Sequence, residues 1–134
     1  MGKVVLDASL LIGVLDKSDA HHHSACQAVV AHRAYGFNVP ASVLAEILVR
    51  AARQSSAKVE EIRSHVRLLF GPIRAIDDDV AVTSAQLCAR HKALRLQDAL
   101  VIATGIVDDA EVILTADARW RGIDNRVQLL KTVG

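Results

Sequence analysis

Apolar and polar positions along the chain alternate between short β-branched runs and longer stretches of helical period. Lys3 to Leu6 (KVVL) predicts a buried strand that ends at Asp7. Ser9 to Leu15 (SLLIGVL) follows as a short helix, weakened by Gly13. From Ala20 to Tyr35, apolar or small residues fall at Ala25, Ala28, Val29 and Ala31, which predicts a helix stopped by Gly36. Phe37 to Val39 is a second strand. Ser42 stands where an N-cap is expected, and Val43, Leu44, Ile47, Leu48 and Ala51 follow at helical spacing. A partner helix from about Ala57 to Phe70 carries Ile62, Val66, Leu69 and Phe70 on one stripe, and Gly71-Pro72 ends it. Ile73 to Ile76 is a third strand. Asp77 to Asp79 open a helix bearing Val80, Val82, Leu87 and Cys88. Gln97 to Val107 is apolar nearly all round, the mark of a buried helix. Val112 to Leu114 and Val127 to Leu130 complete the strands.

Strands alternating with helices predict an α/β fold with a mostly parallel sheet covered on both faces. In such sheets a site is expected just beyond the carboxyl ends of the strands. At 134 residues with 51% apolar composition, one domain over residues 1–134 with a sizeable core is expected. A membrane span is not expected, because the apolar stretch Ala99 to Val107 is far shorter than the roughly 20 residues one needs. The N-terminus lacks a secretory pattern, since Asp7 interrupts the apolar run from Val4 to Leu15, so a cytoplasmic location is expected. Cys26 and Cys88 have no nearby partners at zinc-ligand spacing and read as reduced structural thiols. Four aromatic residues are too few for a base-stacking platform. The net charge of +1 argues against a general nucleic-acid coat protein.

The strand-end rule picks out acids. Asp7 ends the first strand, Glu46 lies one turn into the helix after the second, Asp98 opens the buried helix, and Asp117 follows the fourth strand. Without these four, 11 acids face 16 basic residues, so an acidic pocket would sit in an otherwise basic surface. Carboxylates crowded together raise one another's pKa, and a hard divalent cation resolves the conflict. Oxygen donors without clustered Cys or His favour Mg²⁺ or Mn²⁺ over Zn²⁺. Such an ion binds phosphates and acidifies water, so the implied reaction is phosphodiester hydrolysis.

At these residues the chain resembles a PIN domain, and most of all the small VapC-type toxins of toxin–antitoxin pairs. VVLDASLLIGVLD is similar to the family's first strand and acid, PASVLAEILVR to its second acidic motif, LQDALVIATG to its third and LTADARW to its last. The aromatic of the last motif is commonly Phe, and here Trp120 replaces it. The four motifs cover nearly the whole chain in order. The resemblance implies a three-layer α/β/α sandwich with a parallel sheet of about five strands. It implies a Mg²⁺- or Mn²⁺-dependent endoribonuclease with Asp7, Glu46, Asp98 and Asp117 as its acids. Asp7 and Asp98 would be the principal metal ligands. Glu46 would share the metal or position the water, and Asp117 would complete the set, often through water. Ser9 and Thr115 match polar positions beside the acids, where hydrogen bonding to the ligands is expected. A cognate VapB-type antitoxin and a homodimer are the implied protein partners, and RNA the substrate.

Two other readings compete. One is a PIN-like module that binds RNA or protein without catalysis; the presence of all four acids counts against it. The other is a phosphohydrolase with Asp7 as nucleophile. A haloacid-dehalogenase-like enzyme wants a second Asp two residues later, where this chain has Ser9. Among the remaining polar clusters, His21-His22-His23 cannot converge on one ion, because neighbours on a helix point about 100° apart. Asp77-Asp78-Asp79 fits a helix N-terminus. Asp108, Asp109 and Asp124 read as loop acids. Arg50, Arg53, Arg95, Arg119 and Arg121 lie near the motifs and are candidate RNA contacts.

Overall fold

A computed structural model describes residues 2–131. The elements run β1 (Lys3–Leu6), α1 (Ala8–Leu15), α2 (His22–Ala31), β2 (Gly36–Pro40), α3 (Ala41–Gln54), α4 (Ser56–Phe70), β3 (Ile73–Arg74), α5 (Asp78–Arg90), α6 (Leu96–Val107), β4 (Val112–Thr115) and β5 (Val127–Leu129). A single 3₁₀ turn, Ala118–Trp120, follows β4. The five strands form one sheet in the order β3-β2-β1-β4-β5, and every pairing is parallel.

Parallel neighbours require crossovers, and these are right-handed. The chain therefore steps outward from β1 to β3 with α1 to α4 on one face. It returns to β4 with α5 and α6 on the other, which gives the expected three layers. Val4, Val5 and Leu6 are each 0% exposed although successive strand side chains point to opposite faces, so both faces of β1 are covered. Val5 pairs with Ile113. A Cβ added to Gly105 would fall onto the Ile113 side chain and come 3.7 Å from Val5 Cγ2. The glycine thus lets α6 lie directly on the centre of the sheet.

Several elements differ from the sequence expectation for identifiable reasons. Gly36 begins β2 and does not stop α2, which ends at Ala31 and leaves a turn in between. Ser42 does not cap α3. Pro40, with φ −62° and ψ 145°, occupies the cap position, and the helix begins at Ala41, two residues earlier than a Ser42 cap allows. β3 has two residues, not four, because Asp77 already turns the chain into α5 by accepting a bond from Val80 N–H at 3.0 Å. Gly13 is not a weak point in α1. A Cβ there would sit 2.8 Å from that of Ala25, so its absence lets α2 pack close. No described helix is long and apolar enough to cross a membrane.

Candidate active site

In the strand order, the chain reverses direction between β1 and β4, and a site is expected beyond their carboxyl ends. Asp7 sits there. Its backbone N–H donates to Leu114 C=O at 3.0 Å, which ties the end of β1 to β4. Its own C=O accepts from Leu10 and Leu11 N–H and starts α1. The side chain is 7% exposed. Thr115 Oγ1–H (2.8 Å) and Ser9 Oγ–H (3.0 Å) both donate to Asp7 Oδ2. Thr115 Oγ1 accepts in turn from Asp117 N–H, and Ser9 Oγ from Ala116 N–H, each at 3.0 Å. Ser9 and Thr115 thus stand against the acid and fix it between α1 and β4.

The other acids approach from separate elements. Glu46 is an exposed residue of α3. Asp98 lies in the first turn of α6, where the helix dipole favours a negative charge. Burial pushes the Asp7 carboxyl above its ordinary range against the pull of Thr115, the Ala8 N–H and Ser9, and the Asp98 charge adds to the rise. Desolvation raises Glu46 as well, followed by the charges of Asp7 and Asp98. Arg95 and the Gln97 amide offset part of that rise. Asp7, Glu46 and Asp98, spread over 92 residues of chain, therefore share one electrostatic neighbourhood.

Asp117 stands differently. Its Oδ1 accepts from Arg119 N–H (2.9 Å) and Nε–H (3.0 Å), and its Oδ2 from Nη2–H (2.7 Å). The Arg119 guanidinium holds this carboxyl below the usual range. Asp98 Oδ2 accepts from Arg95 Nε–H at 3.2 Å. As the side chains are oriented, no three acids, histidines or cysteines among the described residues converge closely enough to hold a metal ion. The donor chemistry nevertheless fits a hard cation: every donor is a carboxylate oxygen, and Asp7 and Glu46 bear raised pKa values that positive charge would relieve.

The other polar clusters resolve individually. Of the histidine triplet, the His22 ring Nδ1 lies 2.7 Å from Gly13 C=O and its Nε2 3.8 Å from Cys26 Sγ, a contact between α1 and α2. Arg50 lines a groove of about 270 Å³ with Ile12, Leu15, Lys17, Ile47 and Lys58. Trp120 is 1% exposed, so the bulkier aromatic packs, although its Nε1–H meets no acceptor among the described residues. Asp108 is not a free loop acid. It follows the C-terminus of α6, where Arg74 grips both its oxygens (2.9 and 2.8 Å) and Asn38 Nδ2–H donates at 2.7 Å. These partners lie 34 and 70 residues away in sequence, and no local pattern announces them.

Comparison with known proteins follows the same outline. A family model described as PIN domain matches residues 4–126. Among solved structures, a toxin–antitoxin complex from Klebsiella pneumoniae has a chain that superposes with a TM-score of 0.77 at 22% identity, covering 97% of this chain and 99% of that one. DNA-bound VapBC from Salmonella typhimurium gives 0.71 at 16%, covering 98% and 100%. Mycobacterium tuberculosis VapC20, a sarcin-ricin loop cleaving toxin, gives 0.67 at 16%, covering 82% and 86%. At these identities the likeness is one of fold. No curated protein matches the chain.

Proposed function

The chain belongs to the PIN-domain family, and from that premise we propose that it is a metal-dependent endoribonuclease acting as the VapC-type toxin of a toxin–antitoxin pair. The observation that best supports this reading is the placement of Asp7 at the carboxyl end of β1, pinned by Ser9 and Thr115, within electrostatic reach of Asp98 and Glu46. Asp7, Asp98 and Glu46 would hold Mg²⁺ or Mn²⁺, with Asp117 completing the set. Such an ion, when bound, supplies positive charge against a phosphate and acidity to water.

The chain's own residues do the rest. Asp7 is a rigid anchor, since Ser9 and Thr115 fix its carboxylate. Glu46 is exposed, and desolvation followed by the charges of Asp7 and Asp98 raises its carboxyl above the ordinary range. It would share the metal or position the water. Arg95 and Arg119 stand on the rim, where guanidinium groups meet phosphate oxygens.

Residues 1–134 act as one nuclease domain in the cytoplasm, as a homodimer held in check by a VapB-type antitoxin. The solved neighbours, being toxin–antitoxin complexes by name, support the antitoxin partner in this reading.

The deciding experiment incubates purified protein with RNA in Mg²⁺, in Mn²⁺ and in EDTA, beside an Asp7→Asn variant. Metal-dependent cleavage by the wild type alone is the expected result. Equal cleavage by both proteins, RNA binding without cleavage, or a phosphorylated Asp7 would each overturn the reading.

A further inference from the structure

Two of the four acids are already neutralised, and by cations of a particular kind. Asp117 and Asp98 are held in place by the fold, with side chains 22% and 14% exposed. Their partners Arg119 and Arg95 are 73% and 60% exposed and reach the acids from solvent. Exposed ion pairs of this type favour contact by a factor of only about two to five. The Arg74–Asp108 pair is different, because both side chains are about one-fifth exposed and Asn38 binds the same carboxylate. Arg119 also lies two residues from Asp117, so its side chain can leave while the turn stays capped by its backbone N–H. Beside it opens a cleft of about 300 Å³ lined by His91, Lys92 and Asp98.

We propose that Arg119 and Arg95 are exchangeable counter-cations of the site. They hold Asp117 and Asp98 in the metal-free protein, yield them when a divalent cation binds, and then face the RNA backbone at the cleft. This rests on the reading of Asp98 and Asp117 as metal-site acids. It makes the two arginines positioning residues with opposite effects on two ligands. Each competes with the metal for a carboxylate, and each assists the phosphate once released. Asp117 Oδ1 already accepts two bonds from Arg119 and Oδ2 one, so an ion at this carboxylate meets the guanidinium charge beside it and competes with it for Oδ1.

The test is a Mn²⁺ titration of the intact protein without RNA, followed by calorimetry or by the electron paramagnetic resonance of free Mn²⁺. Arg119→Gln should bind Mn²⁺ about two- to five-fold more tightly than wild type. Arg95→Gln should shift in the same direction, and Arg119→Lys should stay nearer to wild type. With metal saturating, Arg119→Gln should raise KM for RNA several-fold and leave kcat nearly unchanged. Thermal melts in EDTA check that the variants are folded, and Arg95→Gln carries the test if Arg119→Gln is not. Unchanged or weaker Mn²⁺ binding in a folded Arg→Gln variant overturns the exchange. Tighter Mn²⁺ binding without RNA cleavage upholds the exchange and sinks the nuclease reading alone. No Mn²⁺ binding by any of the proteins overturns both.

Discussion

The two ends of α6 make opposite use of the same chemistry. At its N-terminus Asp98 lies within electrostatic reach of Asp7 and Glu46, whose proton affinities rise through desolvation first and neighbouring negative charge second. About 15 Å along the helix, at its C-terminus, Asp108 meets Arg74 and Asn38, and its carboxyl is held below the ordinary range. A negative charge at a helix C-terminus opposes the dipole, so Asp108 needs its partners, whereas Asp98 sits at the favoured end. One cluster is fully satisfied and joins α6 to β2 and β3. The other holds Asp7 and Glu46 in surroundings that desolvate them beside further negative charge, a condition that a cation would relieve. Asp98 and Asp108, with side chains 14% and 22% exposed, thus differ chiefly in what surrounds them.

Removing an acid from the repelling cluster should have the largest effect, and on activity. Asp7→Asn should lower RNA cleavage by at least about 100-fold, equivalent to about 2.7 kcal/mol of transition-state stabilisation. Asp98→Asn should do the same while costing under about 1 kcal/mol of fold stability, since the Arg95 pair it breaks is exposed. Urea melts beside a cleavage assay check both, and a markedly destabilised Asp98→Asn would make that acid structural. The satisfied cluster should behave in reverse. Arg74→Ala leaves Asp108 with Asn38 alone and should cost about 2–3 kcal/mol, somewhat below the figure for a fully buried pair, with activity retained where the variant is folded.

The pH dependence of stability separates the two ends further. Asp7 and Glu46 have raised values in the folded state, so their ionisation costs stability, and that cost is relieved as pH falls from neutral through those raised values. Asp108 and Asp77 have lowered values, so the stability they contribute is present above their ordinary value of 3.8 and is lost as pH falls through the lowered ones. Urea melts over a pH series should therefore show a rise on mild acidification and then a fall. Asp7→Asn should flatten the rise and Asp108→Asn should blunt the fall. The smallest effect is expected for Ser9→Ala. It removes one bond to Asp7 and one from Ala116 N–H, and should cost about 1 kcal/mol with a few-fold loss of cleavage, read by the same assays.

These two clusters also differ in how far the sequence discloses them. Asp7, Asp98 and Asp117 stand out in the sequence because they end or follow a strand or lie in the first turn of a helix, and Glu46 because it lies one turn into the helix after β2. The sheet and its central helix were legible for a related reason: continuous apolar runs such as VVL and VIL have only one environment in which to be buried on both sides. Short-range geometry was less legible. Ser42 looks like a cap, yet the φ of Pro40 decides where α3 starts. Gly36 looks like a stop, yet it serves as the first residue of a strand. The Arg74–Asp108–Asn38 cluster was not legible at all, because it joins three segments whose spacing carries no period. The pairing of Arg119 with Asp117 is two residues in length, but which rotamer brings them together depends on the 3₁₀ turn after β4.

Strand order has one more consequence. β4 is inserted beside β1 at the middle of the sheet, although it is made after three other strands and six helices. Asp7, synthesised near the beginning, waits for Leu114 and Thr115 before its backbone and side chain are fixed. On the ribosome, the surroundings of Asp7 therefore stay incomplete until β4 has emerged and docked beside β1.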